Sequence, residues 1–200
     1  GDDDVAVFDR ASSYTVASGT ESLVTLQVVR GGVTLSGGQL DNAGNLLVGT
    51  SSEDMASLFL SNYSLTSTGI LVGNELQADG LLQVTDASSA LGATENLLVG
   101  VAGVGRMEML AGASTSGRLA LGVSGQNTVL SVSTAPSGAA TGELLVGAKG
   151  SGKLTIEDAL VECATAIIGD QSLASGEVTV SGASGLGRWA ILDGNLVVGR

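Results

Sequence analysis

The phrase Asn45-Leu46-Leu47-Val48-Gly49 recurs along the chain and decides the fold. Its other copies are Ile70-Leu-Val-Gly73, Asn96-Leu-Leu-Val-Gly100, Leu119-Ala-Leu-Gly122, Glu143-Leu-Leu-Val-Gly147, Ala166-Ile-Ile-Gly169 and Asn195-Leu-Val-Val-Gly199. Between them lies a second phrase, with the copies Val33-Thr-Leu35, Leu58-Phe-Leu60, Leu82-Gln-Val84, Met107-Glu-Met109, Leu130-Ser-Val132, Leu154-Thr-Ile156 and Val178-Thr-Val180. Successive copies of the second phrase begin 25, 24, 25, 23, 24 and 24 residues apart, a regular period that indicates a repeat protein.

Each copy of the second phrase places two apolar residues on either side of a single, usually polar, residue. This period of two is typical of a half-buried β-strand, and the flanking Gly and small polar residues supply turns. A vaguer third segment follows in several repeats, as in Tyr63-Ser-Leu-Thr66 and Leu160-Val-Glu-Cys163. Two or three short strands in about 24 residues predict one coil of an all-β parallel solenoid.

A single coil cannot bury its own apolar face, whereas stacked coils pair each strand with its equivalents above and below. We therefore expect one buried column in parallel register, formed by Leu58, Leu82, Met107, Leu130, Leu154 and Val178. We also expect two regions: residues 1–24 as a less regular N-terminal cap, and residues 25–200 as one continuous, elongated solenoid domain.

The composition excludes several function classes. The 200 residues are 44% hydrophobic but only 2% aromatic, and they contain 31 Gly, one Cys and no His. The absence of His rules out a Ser-His-Asp triad and ordinary His-liganded zinc or copper sites, and a lone Cys cannot form an intrachain disulfide. A net charge of −12 repels nucleic-acid phosphates. No apolar run is long enough to span a bilayer, and the start Gly1-Asp2-Asp3-Asp4 does not resemble a signal peptide.

The stretch from Glu143 to Gly199 carries a family resemblance. It contains Glu143-Leu-Leu-Val-Gly147, Gly150-x-Gly152-x-Leu154-x-Ile156, Gly176-x-Val178-x-Val180-Ser-Gly182, Trp189 and Asn195-Leu-Val-Val-Gly199. This pattern resembles the roughly fifty-residue repeat of type V secretion (autotransporter) passengers and PEP-CTERM-associated surface proteins. The match is weaker for residues 96–147 and weaker still for 45–100. The resemblance implies a right-handed parallel β-helix, export and a location at the cell surface, and it carries no catalytic residues.

Two motifs resemble functional sites, but the residues around them argue against those functions. Gly147-Ala-Lys-Gly-Ser-Gly152-Lys153 has the spacing of a phosphate-binding P-loop, but Leu154 stands where Ser or Thr must bind Mg²⁺. A strand is predicted after it rather than the helix that a P-loop needs, so we expect a turn. The acidic groups Asp2-Asp3-Asp4 and Glu53-Asp54 are the calcium candidates, and for the N-terminal triplet we expect a solvated cluster that protects a sheet edge.

Polysaccharide-lyase chemistry would need a basic residue among acidic ones. The basic candidates are Lys149, Lys153, Arg106, Arg118 and Arg188, and none lies beside two carboxylates in sequence, although stacking of coils could bring such a group together. The short loops leave little material for a glycosidase cleft.

Three further features have a structural and a functional interpretation. Asn45, Asn96 and Asn195, with Glu143 in the fourth place, either form a ligand-binding polar row or are turn residues stacked between coils; we favour the second. Trp189 either stacks on a sugar or packs at a corner, and the resemblance favours packing. Cys163 is expected to be a small buried hydrophobic residue.

These observations predict a non-enzymatic exported bacterial surface or extracellular structural protein, adhesin-like, with no catalytic, cofactor or metal site. The expected partners are other surface proteins, glycans, or copies of itself through open solenoid ends, with neither nucleic acid nor membrane insertion. The alternatives are a self-assembling extracellular filament subunit and a carbohydrate-binding or carbohydrate-cleaving β-helix. Asn195–Gly199 completes a copy without an atypical cap, which fits either a fragment of a longer passenger or a filament end. We expect the fragment, because a filament would have to accommodate the N-terminal aspartates within a continuous stack.

Overall fold

A computed structural model describes residues 4–17, 19–52, 55–110, 113–121, 128–133, 143–147, 149–157, 160–163, 165–182, 188–192 and 194–199. For some strand residues, among them Arg118 and Leu130, it describes the backbone alone. Within these ranges there are β-strands and no helix. The strands are β1 Val5–Ala17, β2 Thr20–Leu23, β3 Thr25–Val48, β4 Met55–Val72, β5 Asp79–Thr85, β6 Ala90–Val99, β7 Val104–Leu110, β8 Ser114–Leu121, β9 Thr128–Ser133, β10 Glu143–Val146, β11 Ser151–Glu157, β12 Leu160–Cys163, β13 Thr165–Ile168, β14 Ser175–Ser181, β15 Arg188–Ile191 and β16 Leu196–Val198.

Strands of successive coils pair in parallel, which confirms the predicted solenoid with coils of about 24 residues. The strands that carry the second phrase form one side of the solenoid, which we call the first face. In it β4, β5, β7, β9, β11 and β14 lie side by side. Its central column runs in register through Val33, Leu58, Leu82, Met107, Leu130, Leu154 and Val178. Leu58, Leu82, Met107 and Leu154 are fully buried and Val178 is half-buried, so their predicted positions are confirmed. The side chain of Leu130 lies outside the described residues.

The first phrase forms the second face, where parts of β3, β4, β6 and β8 continue into β10, β13 and β16. Its first and third apolar residues point inward: Leu46 and Val48 are fully buried. Its middle residue points outward and forms a second, aliphatic column, in which Leu145 and Ile167 are buried against Leu98 and Val197. The members with described side chains are Leu47, Leu71, Leu98, Leu145, Ile167 and Val197, and the backbone of Ala120 pairs between Leu98 and Leu145.

A glycine ends the phrase in each described coil and turns the chain at the corner of the solenoid. The φ angle of Gly147 is +73°, a left-handed conformation that side chains disfavour, and a Cβ there would lie 2.1 Å from the carbonyl oxygen of Ser175. Gly49, Gly73, Gly100, Gly169 and Gly199 have the same backbone conformation. The corner therefore combines a backbone requirement with close packing of consecutive coils.

The N-terminal segment joins the stack despite its irregular spacing in sequence. Tyr14 pairs with Val33 and Val16 with Leu35, so β1 adds a further layer to the first face. The register shifts twice between Phe8 and Ser13, because Val29 is an extra residue in β3 and residues 10–12 bulge out opposite the single residue Gly31. The division between a cap and the solenoid at residue 24 stays a prediction.

Candidate functional site

A shallow groove on the outside of the first face is the site with the most suitable chemistry. Its volume is about 440 Å³, within the range of small-molecule sites. It is lined by Ala11, Ser12, Ser13, Gly31, Gly32, Met55, Ser57 and Phe59. The groove therefore combines an aromatic ring, hydroxyl groups and exposed backbone, which is a mixture suited to an amphipathic ligand.

The β1 bulge forms one wall of this groove. Gly31 has a φ of +78°, and a Cβ on it would lie 2.3 Å from the Arg10 carbonyl oxygen and 2.5 Å from that of Ser12. Only glycine permits this close approach of the bulge to β3. The neighbouring Gly32 leaves an outward position without a side chain, and this gap is the floor of the groove.

The Phe59 ring borders the gap at Gly32. A Cβ placed on Gly32 would lie 3.9 Å from Phe59 Cε2 and 3.6 Å from Ser13 Oγ. Leu58 and Leu60 on either side of Phe59 are fully buried, so alternation along β4 places the ring on the outer surface, where it is half-buried. The other residues of its outward column with described side chains are Thr15, Thr34, Gln83, Glu108, Thr155 and Thr179.

Unpaired hydroxyls surround the ring. Within the described part of the chain, the Ser12, Ser13 and Ser57 side chains make no hydrogen bond; Ser12 and Ser13 are exposed to a ligand, whereas Ser57 is largely buried in the wall of the groove. Beside the groove, Arg106 Nη2 lies 2.7 and 2.8 Å from the two carboxylate oxygens of Asp79 and 3.3 Å from Met55 Sδ. This flank carries a neutralised pair rather than a free charge.

The sequence analysis does not predict this groove, because in the sequence Phe59 is only the middle residue of a strand phrase. The available signal was an aromatic residue at an outward position otherwise rich in Thr, Gln, Glu and Ser. The bulge that builds the opposite wall had no sequence signal.

The Lys153 motif folds as the predicted turn. Gly147 is one of the corner glycines, and β11 begins at Ser151, so no helix N-terminus faces the loop. Lys153 Nζ instead lies 2.8 Å from Glu177 Oε1 in the next coil. The hydrogen bond and charge of Lys153 lower the pKa of Glu177, whose side chain is exposed.

Stacking brings two of the lyase candidates to one carboxylate each, Arg106 to Asp79 and Lys153 to Glu177. Lys149 and Arg188 are exposed, and the side chain of Arg118 lies outside the described residues. Of the calcium candidates, Asp2, Asp3, Glu53 and Asp54 also lie outside them. No group of three or more His, Cys, Asp and Glu residues in the described ranges is arranged to hold a metal ion.

The structure places Asn45 and Asn96 in one row of paired positions, two coils apart. Asn45 pairs with Gly69 in the next coil, and Gly69 in turn pairs with Asn96, which is followed by Arg118. The copy of the phrase between the two asparagines has Gly69 at this position. Neighbouring members of the row therefore differ in type, and the interpretation of the asparagines as turn residues stays a prediction.

Trp189 packs against the core, as its structural interpretation predicts, but it lies within strand β15 rather than at a corner. It lies against the buried core, pairs with Val161, and its indole Nε1 donates a hydrogen bond to Cys163 Sγ at 3.4 Å. Cys163 is buried, which confirms that prediction, and desolvation raises the pKa of its thiol while the Trp189 hydrogen bond opposes the shift.

Comparison of the chain with protein-family models, curated proteins and solved structures finds no match. In the portion of the chain described, no helix is long and apolar enough to cross a membrane.

Proposed function

We propose that this chain is a non-enzymatic structural and adhesin-like β-solenoid of an exported bacterial surface protein, with outer columns that contact glycans or other surface proteins. The observation that carries the proposal is the unbroken register of the first face. From Tyr14 to Val178 its column has eight rungs, or about 34 Å at roughly 4.8 Å per rung.

This architecture suits reach and repeated contact. Each coil buries its apolar residues against its neighbours, so the rod maintains its width while its outer columns repeat the same positions. The resemblance to autotransporter and PEP-CTERM-associated repeats supports export and a surface location. The net charge of −12 favours solubility outside the cell and disfavours adhesion to anionic lipid.

Immunogold labelling of intact cells that produce the protein tests the location. We expect label on the outer surface that external protease removes before the cells lyse. Label that requires permeabilisation, and that external protease leaves intact, would overturn the proposal. Incubation with polysaccharides should release neither reducing ends nor unsaturated sugars, and catalytic release would overturn the non-enzymatic part.

A further inference from the structure

We propose that the groove between the β1 bulge and Phe59 binds a neutral sugar residue of a glycan chain, stacked on the Phe59 ring. This inference names the partner class of the contact role proposed above and rests on it. It would make Phe59, Ser12, Ser13 and Ser57 the ligand-contacting residues.

The shape and chemistry of the groove match one sugar ring. A pyranose has an apolar C–H face and a rim of hydroxyls, so it needs an aromatic surface flanked by hydrogen-bonding groups. Phe59 supplies the surface beside the empty position of Gly32, and the unpaired serine hydroxyls lie around it. The Met55 side chain, half exposed, extends the apolar rim.

Electrostatics select a neutral sugar over an acidic one. The nearby Arg106 is paired with Asp79, and the whole chain carries a net charge of −12. A uronate or sulfated sugar would meet repulsion from this net charge, which the exposed side chain of Arg10 in the bulge offsets only in part. The same argument disfavours a nucleotide, whose base could stack on Phe59 but whose phosphates would be repelled.

An open groove suits a residue within a polymer better than a free monosaccharide. The bulge covers one side only, so a chain can enter and leave along the surface while one ring occupies the gap. Such single-ring contacts are weak, and a repetitive glycan gains from several proteins or sites binding at once.

Binding is measured by titrating the whole chain with four neutral hexasaccharides, of β-1,4-glucose, α-1,4-glucose, β-1,4-mannose and N-acetylglucosamine, followed by NMR. We expect at least one to saturate at millimolar concentration. Hexagalacturonate should bind at least about tenfold more weakly at low salt. Failure of all four neutral probes to bind, or tighter binding of hexagalacturonate, would overturn the inference.

Substitutions at two positions, Phe59 and Gly32, locate the site. Phe59→Leu keeps an apolar side chain but removes the aromatic face, and it should weaken binding about tenfold or more, whereas Phe59→Tyr should retain it. Gly32→Val fills the gap without altering Phe59 and should abolish binding. Thr155→Val, in the same outward column four rungs away, is the matched control and should leave affinity unchanged.

Melting temperatures of all variants establish that they fold. Folded Phe59→Leu and Gly32→Val proteins that bind as tightly as the wild type would overturn the placement of the site. Surface labelling of producing cells does not depend on the groove, so loss of glycan binding and failure of the proposed location are separate results.

Discussion

Leu82 gives the most direct measure of the stacked core. It lies in β5 between Leu58 and Met107 and is fully buried. Leu82→Ala removes three carbon groups, worth about 0.8 kcal/mol each, or about 2.4 kcal/mol in transfer free energy. The coils above and below keep their spacing, so the substitution also leaves a cavity. This cavity raises the expected loss of unfolding free energy to about 3–4 kcal/mol.

Leu81→Ala is the matched control, because it makes the same change at the adjacent, outward-facing and half-buried residue. We expect it to cost about 1 kcal/mol or less. Equilibrium urea unfolding of both variants, followed by far-ultraviolet circular dichroism and by the fluorescence of Trp189, measures the difference. The second probe reports on a coil far from the substitution.

A register slipped by one residue would reverse the two costs, since it exchanges the inward and outward sides of a strand. Equal costs for Leu82→Ala and Leu81→Ala, or a larger cost for Leu81→Ala, would therefore refute the assigned register.

Further predictions concern the turns, the ion pair and the thiol. Leu173 is fully exposed and has a φ of +75°, a conformation that favours glycine, so Leu173→Gly should raise stability by about 1 kcal/mol in thermal melts. Leu76→Gly is the control, because Leu76 is also exposed but has no positive φ, and it should not raise stability. Equal effects of the two substitutions would contradict this reasoning. Lys153→Met should raise the pKa of Glu177 toward its ordinary value in an NMR titration, and an unchanged pKa would show that the pair does not form. Because the pKa is lowered in the folded state, the stabilisation is present above the ordinary carboxyl pKa and is lost as pH falls through the lowered one, so the difference between wild type and variant should vanish in acid. ATP with Mg²⁺ should leave the melting temperature unchanged, and a rise that Lys153→Met abolishes would restore the P-loop interpretation. Cys163 should react with a thiol reagent only after unfolding, and rapid reaction of the native protein would contradict its burial.

The regular part of the fold was predictable because its signals are local and repeated. Alternation around Leu58 and Leu82 identifies the inward side of each strand, and the constant period determines which residues become neighbours in the next coil. Glycine at a fixed place after each first phrase marks the corner. These features need no knowledge of distant contacts beyond the period itself.

The groove and the polar row were harder to predict for physical reasons. The bulge at residues 10–12 exists because β1 must match β3 while carrying extra residues, and its location depends on the pairing of two segments with irregular spacing. Asn45 and Asn96 lie two coils apart, and the residue that pairs with both of them, Gly69, is identified only by the register of the coil between them. Charge pairs such as Arg106 with Asp79 arise only when coils stack.

The shared corner geometry has a consequence for the gene. Gly49 and Gly73 have nearly the same φ angle and follow inward valines that pair with each other, Val48 with Val72. A recombination event between the codons of two such glycines removes or adds a complete coil and joins segments that already match in register. Such a change would lengthen or shorten the rod in steps of about 4.8 Å and leave its cross-section the same, whereas an insertion of another size would disturb the register.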